Sequence, residues 1–175
     1  MLAIRYFLLY SFFGYGLEKL FARVTHAENQ LRRCFIMFPL CPVYGLAMLA
    51  VLALPREDTW WERALCGGAA ATAVEYAVHW FNERVFGVRF WDYRATKLDI
   101  NGRVCLPFSV AWGFFSLAAV EWVQPLVGAL AGRMSDAATN VVLLALAVDA
   151  LYSARVLLTA HDVRLLTPAA VVKIL

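Results

Sequence analysis

The stretch ATNVVLLALAVDALYSARVLLTA, residues Ala138 to Ala160, decides the fold class. It holds no Gly or Pro, and Asp149 is its only charge before Arg155. A helix needs ~20 mostly apolar residues to cross the hydrocarbon core of a bilayer, and this stretch supplies them. Four further stretches read the same way: Leu2 to Val24, Phe35 to Leu54, Ala64 to Val85 and Val104 to Leu130. The chain is therefore expected to be all-α, an integral membrane bundle of five transmembrane helices over residues 1–162. Residues 163–175 read as a short cytoplasmic or interfacial tail interrupted by Pro168.

Composition agrees. Hydrophobic residues make up 62% and charged residues 17% of the 175, where soluble domains sit near ~45–50% apolar and ~25% charged. Mean hydropathy is +0.65. A soluble globule of this length could not cover so much apolar surface, so membrane lipids are the expected surroundings. The first apolar stretch contains Tyr10, Tyr15, Glu18 and Lys19 with no small-residue cleavage site after it, so it reads as a retained helix. Cys34, Cys41, Cys66 and Cys105 have no metal-type spacing and read as buried thiols.

Orientation follows from the 16 Lys and Arg residues, because cytoplasmic loops carry the excess. Lys19, Arg23, Arg32, Arg33, Arg84, Arg89, Arg94, Lys97, Arg103, Arg155, Arg164 and Lys173 fall on one side. Only Arg5, Arg56, Arg63 and Arg133 fall on the other. The N-terminus is expected outside and the C-terminus in the cytoplasm. Trp60, Trp61 and Trp122 then mark the outer boundary, with Trp80 and Trp91 near the inner one. Topology accounts for the basic loops, which leaves no argument for nucleic acid.

Ionisable groups inside a bilayer cost several kcal/mol and are candidates for function by default. Helix one places Ser11, Tyr15 and Glu18 on one face; Glu18 also reads as an interfacial residue beside a snorkelling Lys19. Helix three carries Glu75, His79 and Glu83 four apart. That stripe fits a polar or proton-linked cavity, or hydrogen bonds that only hold helices together. A single metal ion fits poorly, since eight residues rise ~12 Å. Helix five carries Asp149 with Tyr152 and Ser153, and Asp149 is expected to meet another helix, with His79 or Arg103 as possible partners. Pro39 and Pro42 interrupt helix two just before Tyr44. The loop from Phe86 to Arg103 holds Trp91-Asp92-Tyr93, either an interfacial belt or the lid of a site, and the turn signal Asn101-Gly102 beside Arg103. The expected substrate-binding set is Tyr15, Glu18, Tyr44, Glu75, His79, Glu83, Trp91, Asp92, Tyr93, Asn101, Arg103 and Asp149. No metal or other cofactor is expected.

At these motifs the chain resembles the CmpB-type family of ABC-transporter permeases, small bacterial membrane proteins. The matching stretches are Tyr10 to Tyr15 with Glu18, Cys41 to Gly45, Glu75, Glu83 with Phe86-Gly87, Trp91 to Tyr93, Asn101 to Arg103, and Asp149 with Ser153. The chain departs from the family pattern at residues 32–36, Phe38, Arg94 and Asp99. The resemblance implies a transport component of the bacterial cytoplasmic (inner) membrane. The chain has no GxxxxGK[ST] loop, so an ATPase would be a separate subunit. Five helices are few for a pathway, which implies a homo-oligomer. Two other functions compete. One is an intramembrane enzyme acting on a lipid or amphiphile, using Glu18, Glu75, His79, Glu83 or Asp92 as acid or base. The other is a non-catalytic subunit whose polar residues lock helices together.

Overall fold

A computed structural model describes residues 1–25, 34–55 and 59–166. Arg32, Arg33, Arg56-Glu57-Asp58 and the tail with Pro168 and Lys173 lie outside the described residues. Five helical segments follow one another: α1 (Leu2–Val24), α2 (Pro42–Leu52), α3 (Trp60–Phe81), α4 (Leu106–Arg133) and α5 (Asp136–Ala160).

The ends of the long helices have local causes. A capping box starts α3 before the expected Ala64: Thr59 Oγ1 accepts from Glu62 N at 3.4 Å, and Glu62 Oε2 accepts from Thr59 N at 3.3 Å. One π-helical turn, Asn82–Phe86, extends α3 until Gly87 stops it at φ +68°. A second π-turn, Ala119–Val123, lies within α4 just before Pro125, whose ring nitrogen has no hydrogen to offer the helix. Ser135 caps α5, accepting from Ala138 N at 3.1 Å.

The second expected helix differs most. It is helical only from Pro42 to Leu52, 11 residues, and residues 34–41 are irregular. Pro39 and Pro42 remove two donors and push Phe38 and Cys41 away from helical geometry, and Cys41 is extended at φ −117°, ψ 93°. Cys34 and Cys41 are joined by a disulfide, so the expectation of free buried thiols is corrected for this pair; Cys66 and Cys105 are free. The all-α expectation also gains a small exception. Asp99–Ile100 pairs antiparallel with Val104–Cys105, in the register Asp99 with Cys105 and Ile100 with Val104. The connecting Asn101 and Gly102 both take positive φ, 58° and 70°, as a tight hairpin turn requires.

The helices pack in sequence, α1 on α2, α2 on α3 and α3 on α4, and the second half of α4 returns to α1. Glycines permit the closest crossings. A Cβ on Gly45 would stand 2.5 Å from the Phe7 carbonyl oxygen, and one on Gly68 3.0 Å from Gly113 Cα. Arg5 of α1 ties the end of α4 to the start of α5, donating to the Ala131 carbonyl, Thr139 and Asp136. Phe86, Val88, Val156, Leu157 and Leu166 close the opposite end.

Two helices, α4 and α5, are long and apolar enough to cross a membrane by length and composition. Only 17% and 22% of their most apolar stretches are buried inside the protein, so these are not the core helices of a soluble domain. Val141, Leu144, Val148, Leu151 and Leu158 are exposed along α5, as are Phe114, Phe115 and Trp122 along α4. Such surface fits contact with lipid.

Candidate functional site

Glu75 sits fifteen residues into α3 and is only 5% exposed. Its Oε1 accepts from the Tyr93 hydroxyl at 2.8 Å and its Oε2 from Trp112 Nε1 at 2.9 Å. Tyr93 reaches it from the loop after α3, and Trp112 from α4. The Trp112 ring meets Tyr44 edge-on, with centroids 5.4 Å apart, and the Tyr44 hydroxyl donates to Glu18 Oε1 at 2.7 Å. Tyr44 can approach because its neighbour on α1 is Gly14, where a Cβ would fall 2.4 Å from Tyr44 Cβ. Phe108 stacks on Tyr93 at 5.0 Å and closes the aromatic side. Four helices and one loop thus supply a cluster of two carboxylates, two phenols and an indole. Burial, then the Glu75 charge, push the Tyr93 phenol well above its ordinary range, so it stays a donor.

A second cluster lies toward the end of α3. His79, 2% exposed, places Nε2 3.0 Å from the Trp91 carbonyl oxygen, which can only accept; that nitrogen therefore carries the proton. Its buried Nδ1 has no hydrogen-bond partner and faces Glu83 Oε2 at 3.9 Å. Glu83 is taken by two arginines, Arg103 at 2.9 Å and Arg89, whose Nε donates at 2.8 Å. Arg103 also donates to the Tyr76 hydroxyl at 2.6 Å, and Asn101 Nδ2 donates there at 3.1 Å. Bonding to Glu83 raises the Arg103 guanidinium further above its ordinary range. A cleft of about 580 Å³ opens here, lined by Trp80, Glu83, Arg84 and Arg103.

The loop is folded inward over both clusters. Trp91 lies against the His79 ring at 5.2 Å, and its Nε1 donates to the Arg103 carbonyl at 2.9 Å. Of the three residues Trp91-Asp92-Tyr93, Trp91 and Tyr93 turn inward, onto His79 and Glu75. Asp92 instead faces out and orders the loop, accepting from Arg94 N at 3.0 Å. Hydrogen bonds from Arg94 hold the Asp92 carboxyl well below its ordinary range.

Asp149 stands apart. Met37 N donates to its Oδ1 at 3.2 Å, Phe38 N to its Oδ2 at 2.8 Å, and the Ser153 hydroxyl to Oδ1 at 3.2 Å. Its partners are backbone amides of the irregular segment, which corrects the expectation of His79 or Arg103. Tyr15 joins neither cluster; its ring lies 5.5 Å from Lys19 Nζ. The Glu75, His79 and Glu83 stripe does face inward, but each member has its own partners. Among the described residues no three metal-ligating side chains come together.

The family of "Putative ABC-transporter type IV" proteins matches residues 5–156, nearly the whole chain. The chain belongs to that family. Family membership and the two apolar helices fit a membrane protein of the transport class. No curated protein and no solved structure matches the chain. The family match spans every residue of both clusters, the α2 break and Asp149. Trp112, Tyr76 and Arg89 were not anticipated. Trp112 lies in an apolar run where a Trp reads as packing, and only its ring nitrogen hints at a buried acceptor. Tyr76 adjoins Glu75, and Arg89 carries no signal in the sequence beyond its place among the basic residues that set topology.

Proposed function

We propose that this chain is the membrane-embedded, solute-binding component of a transport system, with Glu75 at the centre of its binding site. One observation carries the reading. A buried carboxylate inside an apolar helix is held entirely by side-chain donors from a loop and a neighbouring helix, with a second carboxylate, Glu18, beyond the Trp112 and Tyr44 rings. Side-chain donors can swing away and be replaced by donors of a solute. Two carboxylates favour a cationic or donor-rich solute, or a proton.

In this reading all five helical segments lie in the bacterial inner membrane, N-terminus outside and C-terminus in the cytoplasm. Supporting this, Trp60 and Trp80 are 20 residues apart on α3, so the helix rise separates them by about 30 Å, the thickness of the hydrocarbon core. The irregular 34–41 segment is tolerable at membrane depth because its amides have partners and its ends are bridged: Met37 N and Phe38 N donate to Asp149, Cys41 N donates to the Ser11 carbonyl at 2.8 Å, and the disulfide joins Cys34 to Cys41. Energy would come from a separate ATPase subunit, and a homo-oligomer would complete the pathway. Intramembrane acid–base catalysis is less supported, because arginines neutralise Glu83 and Asp92.

The test is thermal unfolding of the purified protein against a panel of small organic cations, neutral sugars and organic anions, followed by uptake into vesicles with the ATPase present. Cations should raise the wild-type midpoint and leave Glu75→Gln unmoved. Stabilisation by anions alone, or no uptake of any solute that binds, would remove the proposal.

A further inference from the structure

We infer that the face between α3 and α4 is a binding groove for an anionic phospholipid, with one acyl chain along the groove and the phosphate at Arg84 and Arg103. The inference goes beyond transport and needs only that these helices lie in a bilayer.

The groove encloses about 690 Å³ and runs from Trp60 and Trp61 to Tyr76 and Ile100. The sixteen residue steps from Trp60 to Tyr76 advance about 24 Å. One leaflet's share of the hydrocarbon core is only about 15 Å, so a chain fits from headgroup to terminus. Gly68 and Gly113 form the floor, where the two backbones are too close to admit a side chain. Leu65, Val110 and Phe114, all exposed, raise the rims. The trough is almost wholly apolar along its length, with Thr72 and Ser109 as small polar side chains in its wall, and charged groups lie beyond one end only.

That end is the Tyr76 hydroxyl, held by Arg103 and Asn101. Across Arg103 lies the cleft lined by Trp80, Glu83 and Arg84, so the apolar trough and the cationic cleft meet at the Tyr76–Arg103 contact. Glu83 engages Arg103 and Arg89, whereas Arg84 is exposed and enters none of the ion pairs among the described residues. From Glu83 to Arg103 five Lys and Arg face three Asp and Glu. A phosphate complements this end. A helix from a second copy does not, since its own inner ends carry the same cations.

The experiment uses the full chain in detergent micelles, titrated with phosphatidylglycerol or phosphatidylcholine of identical chains and read by native mass spectrometry. Phosphatidylglycerol should be retained about fivefold better, the factor one surface cation contributes toward an anionic lipid. Arg84→Gln should bring the two lipids to parity. Ala73→Phe fills the groove from an exposed position and should lower retention of both; Ala69→Phe on the same face serves if that variant unfolds. Inorganic phosphate should not displace the lipid. Equal retention of both lipids by the wild type, or retention indifferent to both groove-filling variants, would overturn the inference. So would a groove-filling variant that changes oligomer mass and leaves lipid unaltered, because that assigns the face to a second copy.

Discussion

Asp149 and Glu75 pose the same physical problem and are treated differently. Each is a carboxylate in the middle of a long helix and each is 5% exposed. Asp149 is held by the backbone amides of Met37 and Phe38, in a segment already fastened by the Cys34–Cys41 disulfide. Glu75 is held by the tips of Tyr93 and Trp112. Backbone donors in a clamped segment cannot leave without unfolding it, whereas a phenol and an indole can rotate away. The first arrangement builds structure, and the second is available to a ligand.

Removing Asp149 should therefore cost the most. Asp149→Ala strands two backbone donors in a buried site, and such groups cost ~1–3 kcal/mol each, so a loss of about 3 kcal/mol is expected in detergent unfolding. Asp149→Asn keeps one acceptor and should lose roughly half as much. If Asp149→Ala were as stable as wild type, the division between the two carboxylates would fail. Opening the disulfide comes next. Cys34→Ser with Cys41→Ser frees a short loop in the unfolded chain and should cost about 2 kcal/mol, matched by adding reductant to the wild type.

Glu75→Gln should be milder for the fold and harsher for function. Gln keeps an acceptor for one of the two donors, so stability should fall by only about 1 kcal/mol. Losing a charge-assisted bond to a solute should weaken its binding about tenfold to a hundredfold in calorimetry. A Glu75→Gln protein that unfolds like Asp149→Ala would place both carboxylates in the structural class.

The same contrast explains what could be read from the residues alone. The α4 and α5 runs are legible because their apolar length has few other uses, and Asn101-Gly102 is legible because a tight hairpin needs positive φ. The break in the second helix is signalled by Pro39 and Pro42, but the apolar run from Phe35 to Leu54 is long enough to read as one span through them. The structure resolves the conflict by bonding the amides of Met37 and Phe38 to Asp149. Partners of that kind were invisible, since every residue has an amide and residue type says nothing about which is free. Trp112 stayed hidden for a related reason: its contribution is a single N–H on a side chain that apolar runs contain for packing.

The smallest effect concerns the loop that brings Tyr93 to Glu75. Asp92 joins it through Arg94 and Arg89, and its carboxyl is held below the ordinary carboxylate value mainly by Arg94. A depressed carboxylate contributes order that is fully present above its unfolded pKa and is lost as pH falls through the folded one. Between pH 8 and 5 the loop should not respond to Asp92 at all; loosening should begin only below ~4. Amide exchange across residues 88–105 should therefore be flat over the upper range and rise on acidification, while Asp92→Asn should show the looser pattern at every pH. Loosening already at pH 6 in the wild type would point away from Asp92 and toward His79, whose unpaired Nδ1 faces Glu83 beneath the same loop.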